Sequence, residues 1–142
     1  MATQARPVLV VEDDTDLLGM VELVLQGAGY RVVTAAEGAE ALQKVAAEMP
    51  AVILLDMKMP GMDGWEFARH FRARYDRQAP IVVLTAAENA RQRAEEIGAE
   101  GYLGKPFEID DLIAVVEKYA PQRGARITQK SGRGEPESAA AG

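Results

Sequence analysis

Two spacings of apolar residues alternate along the chain. Short, largely β-branched runs occur at Val8-Leu9-Val10-Val11, Arg31-Val32-Val33-Thr34, Ala51-Val52-Ile53-Leu54-Leu55, Ile81-Val82-Val83-Leu84-Thr85 and, more weakly, Gly101-Tyr102-Leu103. Several show no polar alternation, the pattern of parallel strands covered on both faces. Five segments with helical spacing follow them in turn. The first carries Leu17, Leu18, Val21 and Leu25, with Asp14 or Thr15 as its cap and Gly27-Ala28-Gly29 as its stop. The second carries Ala41, Leu42, Val45 and Ala46 and stops before Pro50, and the third is capped by Asp63 with Phe67 and Phe71 one turn apart. The fourth, around Ala90, Ala94 and Ile97, offers little bulk for packing. The fifth places Ile109, Leu112, Ile113 and Val116 at i, i+3, i+4 and i+7.

Strict strand–helix alternation, joined by right-handed crossovers, predicts an α/β fold: a doubly wound, five-stranded parallel sheet with five helices on its two faces. A chain of 142 residues accommodates one such domain, predicted over residues 1–120. From Pro121 onward Gly, Ser, Pro, Ala and Arg dominate and Ile127 is the single large aliphatic residue, so residues 121–142 are expected to form a disordered tail. No apolar run has the length of a membrane span, no signal-peptide stretch precedes the first strand, and cysteine is absent. These features predict a cytoplasmic protein without membrane insertion. Charge is uneven: residues 1–120 carry 20 acids against 12 bases, the last 22 carry 2 against 4. An acidic domain is a poor direct ligand for nucleic acid, whose affinity comes largely from basic groups on phosphates.

In doubly wound folds, ligands bind beyond the carboxyl ends of the strands. Here those ends carry Glu12-Asp13-Asp14, Asp56, Thr85 and, one residue past the fifth run, Lys105. Acids gathered at one edge repel each other unless a cation lies among them, and Mg²⁺, which prefers oxygen ligands, is the natural candidate. Such a site suits phosphoryl transfer, which depends mainly on positioning and charge neutralisation. Asp56 is then the nucleophile, Lys105 and the metal hold phosphoryl oxygens, and the Thr85 hydroxyl donates a hydrogen bond to one of them. Taken alone, Glu12-Asp13-Asp14 reads equally as a solvated helix start; Asp56 and Lys105 tip the balance toward a site.

The motifs Val10-Val11-Glu12-Asp13-Asp14, Leu54-Leu55-Asp56-Met57-Lys58-Met59-Pro60-Gly61-Met62-Asp63-Gly64, Val83-Leu84-Thr85-Ala86 and Gly98-Ala99-Glu100-Gly101-Tyr102-Leu103-Gly104-Lys105-Pro106-Phe107 occur in order. In these, over roughly residues 7–120, the chain resembles the CheY-like receiver domains of bacterial two-component response regulators. The resemblance implies a flavodoxin-like sheet of strand order 2-1-3-4-5 and Mg²⁺ as cofactor. Asp13 and Asp56 become metal ligands, Glu12 acts through water, and Lys58 offers its backbone carbonyl. Asp56 is the phosphoacceptor, Thr85 and Tyr102 the switch pair, and Lys105–Pro106 a cis peptide bond. Glu12 stands where many members have Asp. For Tyr102 the switching role rests on the resemblance alone, and edge packing explains an aromatic there equally well. Gly61 and Gly64 read as turn punctuation, His70 as a surface residue among arginines, and Trp65 as packing.

The implied function is phosphorelay: a stand-alone receiver, itself not an enzyme beyond its own phosphorylation and dephosphorylation. It takes a phosphoryl group from a sensor histidine kinase or histidine phosphotransfer protein. Output passes to a protein target through the face of the fourth helix, fifth strand and fifth helix, as a monomer or as a phosphorylation-dependent homodimer. The alternatives are a receiver fragment of a larger regulator or hybrid kinase, or a pseudo-receiver that only binds protein. A haloacid-dehalogenase-type phosphatase needs a second Asp two residues past the nucleophile, where Lys58 stands. A flavin carrier needs a phosphate cradle where Glu12-Asp13-Asp14 stands.

Overall fold

A computed structural model describes residues 5–121. The five runs and five periodic segments form β1 (Val8–Val11), α1 (Thr15–Gly27), β2 (Val32–Ala35), α2 (Gly38–Ala47), β3 (Val52–Asp56), α3 (Gly64–Tyr75), β4 (Ile81–Ala86), α4 (Ala87–Ile97), β5 (Gly101–Lys105) and α5 (Ile109–Tyr119). All strand pairs are parallel, in the order β2-β1-β3-β4-β5. From residue 122 on, the expected tail lies outside the described residues.

The unbroken apolar runs are explained by burial on both faces. Every residue of β1 and β3, and β4 as far as Thr85, is buried. Alternate residues serve opposite layers: Leu9, Ile53, Leu55, Ile81 and Val83 pack with α2, α3 and part of α4, and Val8, Val10, Leu54, Val82 and Leu84 pack with α1 and α5. Each such side chain contributes about 1.5–3 kcal/mol of hydrophobic stabilisation relative to exposure.

Caps fix where the helices begin. The Asp14 carboxylate accepts from the amides of Asp16 (3.0 Å) and Leu17 (3.1 Å), so Asp14, not Thr15, caps α1. Asp63 accepts from the Glu66 amide at 2.9 Å and caps α3 as expected. Helix α4 differs: its cap position is Ala86, directly continuous with β4, and no side chain satisfies its first amides. It ends on Gly98 in the left-handed conformation (φ 64°).

The boundaries differ from the sequence reading in small, explicable ways. Strands β2 and β3 begin and end one residue later, β3 taking in Asp56 itself. Strand β5 runs two residues further, because Gly104 and Lys105 pair with Thr85 and Ala86 of β4 although neither carries a strand-like side chain. Ile109, expected on the apolar stripe of α5, is 51% exposed at the helix's first turn, while Leu112 and Val116 are buried. His70 is partly rather than fully exposed. Among the described residues no helix is long and apolar enough to cross a membrane.

Candidate functional site

The strand order sets the site. Strand β1 pairs with β3, and β3 with β4, so the residues leaving their carboxyl ends are neighbours. Helices leave β1 and β3 toward opposite faces of the sheet, α1 packing with one layer and α3 with the other. A crevice is therefore left above their carboxyl ends. Glu12 and Asp13 follow β1, and Asp56 closes β3. Glu12, Asp13 and Asp56 each offer an oxygen within 4.8 Å of the others'. Glu12 and Asp56 are 1% and 5% exposed, whereas Asp13 faces solvent.

Lys105, at the end of β5, reaches across this edge. Its Nζ lies 2.7 Å from Glu12 Oε1 and 3.6 Å from Asp56 Oδ1. The other Glu12 oxygen accepts from the Asp14 amide at 3.1 Å. The extra methylene of Glu12 therefore holds the lysine, a contact that spans 93 residues of chain and that no local motif announces. The Lys58 amide approaches Asp56 Oδ1 at 3.4 Å, placing the backbone of Lys58 against that carboxylate.

Thr85 is buried on β4, one residue past Leu84, the partner of Asp56 in the ladder. It belongs to the same edge. Tyr102 does not: on the edge strand β5 it pairs with Val83, two residues short of Thr85, and is 48% exposed. Of the sequence-derived residues, the fold thus gathers Glu12, Asp13, Asp56, Lys58, Thr85 and Lys105 and leaves Tyr102 on the adjoining outer surface. The Lys105–Pro106 bond is cis.

Electrostatics call for a cation. Burial first, then the charge of Glu12, pushes the Asp56 carboxyl up from the ordinary range to about 7, against the lowering pull of Lys105. Three carboxylates against one ammonium leave negative charge uncompensated in a partly dry edge. The donors are hard oxygens, and an open solvent side remains for water. This donor set could hold Mg²⁺ through oxygens of Glu12, Asp13 and Asp56.

Two glycines do more here than punctuate turns. A Cβ on Gly64 would lie 2.7 Å from Met57 Cα and 2.8 Å from the Asp56 carbonyl oxygen, so α3 can begin against the backbone of Asp56 and Met57 only with hydrogen at that position. A Cβ on Gly104 would lie 2.5 Å from Ala87 Cα, so α4 rests directly on β5 beside Lys105. Gly61 is a turn glycine, with φ 73°.

The fold and the acidic edge together define a doubly wound α/β protein with a carboxylate cluster, able to hold a cation, at the carboxyl ends of β1 and β3. A family model described as "Response regulator receiver domain" matches residues 8–117, and the chain belongs to that family, the receivers of two-component signalling. Among curated relatives, the transcriptional regulatory protein PrrA of Mycobacterium tuberculosis is 40% identical over 126 residues, 87% of this chain and 54% of PrrA. The DNA-binding transcriptional regulator NtrC of Escherichia coli is 37% identical over 88% of this chain and 28% of its own length. The chain thus spans about half the length of PrrA and less of NtrC. Among solved structures, chemotaxis protein CheY4 of Vibrio cholerae superposes with a TM-score of 0.73 at 37% identity, over 82% of this chain and 99% of CheY4. Response regulator TrrA of Thermotoga maritima, solved in complex with Mg²⁺-BeF, gives 0.72 at 33% identity over 80% of this chain and 98% of TrrA.

Proposed function

We propose that this receiver takes a phosphoryl group from the phosphohistidine of a sensor histidine kinase or histidine phosphotransfer protein onto Asp56. The observation that carries this reading is the buried Asp56 carboxylate flanked by two further acids and by Lys105 at 3.6 Å. An Asp56 oxygen attacks phosphorus as the P–N bond breaks, and the electron pair leaves on the imidazole nitrogen. Mg²⁺, when bound, neutralises charge shared between the carboxylates and the phosphoryl oxygens. Lys105 transfers its ammonium from Glu12 to a phosphoryl oxygen, and Thr85 donates its hydroxyl to another. The added charge draws Thr85 and the start of α4 toward Asp56, and Tyr102 turns inward in response.

The activity stops there. Lys58, exposed, stands at the second position past Asp56, where a haloacid-dehalogenase-type phosphatase needs an Asp as general acid, and on this reading the domain turns over only its own acyl phosphate. Output is by protein contact in the cytoplasm, without direct binding to nucleic acid or membrane. Its surface is α4, β5 and α5, where Tyr102, Arg91, Val115 and Lys118 border a cleft of about 370 Å³. On phosphorylation the same face either recruits the target or pairs two copies.

Transfer from radiolabelled, autophosphorylated histidine kinases of the source organism tests the reading. One kinase or phosphotransfer protein is expected to label the wild type and not Asp56→Asn. Failure of every donor to label it contradicts the proposal and favours a pseudo-receiver.

In this first reading the receiver acts alone, through protein contacts of its own. A second reading, a receiver joined to an output domain, is favoured by the greater length of PrrA and NtrC. Immunoblotting of native extract separates them: a 15.3 kDa species supports the first, a larger one the second.

A further inference from the structure

The residues that hold the acceptor are carried on the segment from Met57 to Asp63, which joins β3 to α3 and bears the Lys58 backbone. One end of this segment is fixed by α3, since the Gly64 amide donates to the Met57 carbonyl at 2.9 Å. Its other end is held from a different element. Gly38, the first residue of α2, donates its amide to the Met62 carbonyl at 3.2 Å. It is buried, and a Cβ there would lie 2.7 Å from both Met62 O and Met62 Cγ. Next to it, Glu37 Oε1 stands 3.4 Å from the Cβ position of Gly61, the left-handed residue of the same segment.

Backbone conformation does not demand glycine at 38, because the described glycines with positive φ are Gly29, Gly61 and Gly98. Helix propensity disfavours it, alanine being the stronger helix former. The requirement is steric and tertiary: hydrogen alone lets the α2 backbone close on the Met62 carbonyl. Displacing Met62 by the several tenths of an ångström that a methyl group demands would tilt the short segment that sets Lys58 against Asp56.

From this we infer that Gly38 is a positioning residue for the phosphoacceptor site. It clamps the Met62 end of the β3–α3 segment so that the Lys58 amide and carbonyl keep their register beside Asp56 and the divalent cation. The inference rests on the proposed acceptor role of Asp56 for its functional meaning, but its structural content is independent of that role. Small displacements of ligand and nucleophile are costly, a shift of about 1 Å being worth as much as about 100-fold in rate.

The test uses the full chain as wild type, Gly38→Ala and Val45→Ala. Val45 is buried on the same helix two turns from Gly38, so its truncation loosens α2 and leaves the Gly38–Met62 backbone contact in place. Three quantities are read: Mg²⁺ affinity by calorimetry with Mg²⁺ alone, hydrogen exchange over residues 57–63 without metal, and phosphoryl uptake from acetyl phosphate. For Gly38→Ala, Mg²⁺ binding is expected to weaken about tenfold or more, with faster exchange in that segment and slower uptake. Val45→Ala is expected to lose stability while keeping Mg²⁺ affinity within about twofold, because a distant cavity does not move the ligands. Adding Met62→Ala to Gly38→Ala removes the Cγ clash and is expected to restore part of the affinity. If Gly38→Ala alone does not fold, the double variant is compared with Met62→Ala. Wild-type affinity and protection in Gly38→Ala, or equal losses in Val45→Ala, overturn the inference. A wild type that binds Mg²⁺ but takes up no phosphoryl group overturns the acceptor role instead, while the Mg²⁺ and exchange differences still uphold the clamp.

Discussion

Asp56 is placed where ionisation is costly, and that cost has a measurable sign. Its carboxyl is pushed from the ordinary range to about 7, by burial first and by the charge of Glu12 second. Between about pH 4 and pH 7 the metal-free folded state therefore holds a proton that the unfolded state has released. The stability this group contributes is full below the unfolded value and is lost as pH rises through about 7. Replacing Asp56 with Asn is thus expected to raise the thermal midpoint of the metal-free protein at pH 8 and to change it little at pH 4. Denaturation scans in chelator check this, and a shift equal at both pH values would contradict it. Among individual residues, Asp13, Asp56, Thr85 and Lys105 were legible in the sequence because each lies at or beside the carboxyl end of a strand and the fold class places ligands there. The grip of Glu12 on Lys105, and of Gly38 on Met62, was not legible, since each joins residues far apart in the chain through side-chain length or its absence.

At the scale of elements, α4 is the helix whose buried residues are all alanines. Only Ala90 and Ala94 of its residues are buried, its amino end lacks a side-chain cap, and its first residue leans on Gly104. Elsewhere it is tied by polar contacts: Trp65 Nε1 of α3 donates to Glu96 Oε1 at 2.9 Å, and Arg93 covers the same indole at 5.3 Å. Arg72 and Arg77 both donate to the Gly98 carbonyl at its carboxyl end. On activation this helix is expected to shift at its start while its end stays anchored. Trp65, the single tryptophan, reports on the seam. Its emission is expected to change when Mg²⁺ and beryllofluoride are added, and an unchanged spectrum would argue against movement of α4 past α3. Gly104→Ala would drive a methyl group into Ala87 and is expected to cost about 1–3 kcal/mol in urea denaturation, as overpacking does; a neutral effect would show that α4 yields freely. The thin packing of α4 was visible in its alanine-rich sequence. The true length of β5 was not, because Gly104 and Lys105 are recruited to the sheet by their pairing with β4 rather than by any strand preference of their own.

For the molecule as a whole, alternation of β-branched runs with helical spacings was enough to specify the architecture, since parallel strands buried on both faces and right-handed crossovers leave few other ways to cover the apolar surface. That architecture brings acids from β1 and β3 together at a cost that a proton, Lys105 or a bound cation relieves, so Mg²⁺ binding and folding are expected to be linked. At about 100 times its dissociation constant, Mg²⁺ is expected to stabilise the protein by about 2.7 kcal/mol. The gain should be seen as a rise in thermal midpoint, lost with chelator and much reduced in Asp13→Asn. The central claim, that Asp56 is the acceptor, is tested most directly by intact mass after incubation with Mg²⁺ and acetyl phosphate or phosphoramidate. The wild type is expected to gain a single phosphoryl group and Asp56→Asn none; an unmodified wild type at every Mg²⁺ concentration, or undiminished uptake by Asp56→Asn, would contradict the account.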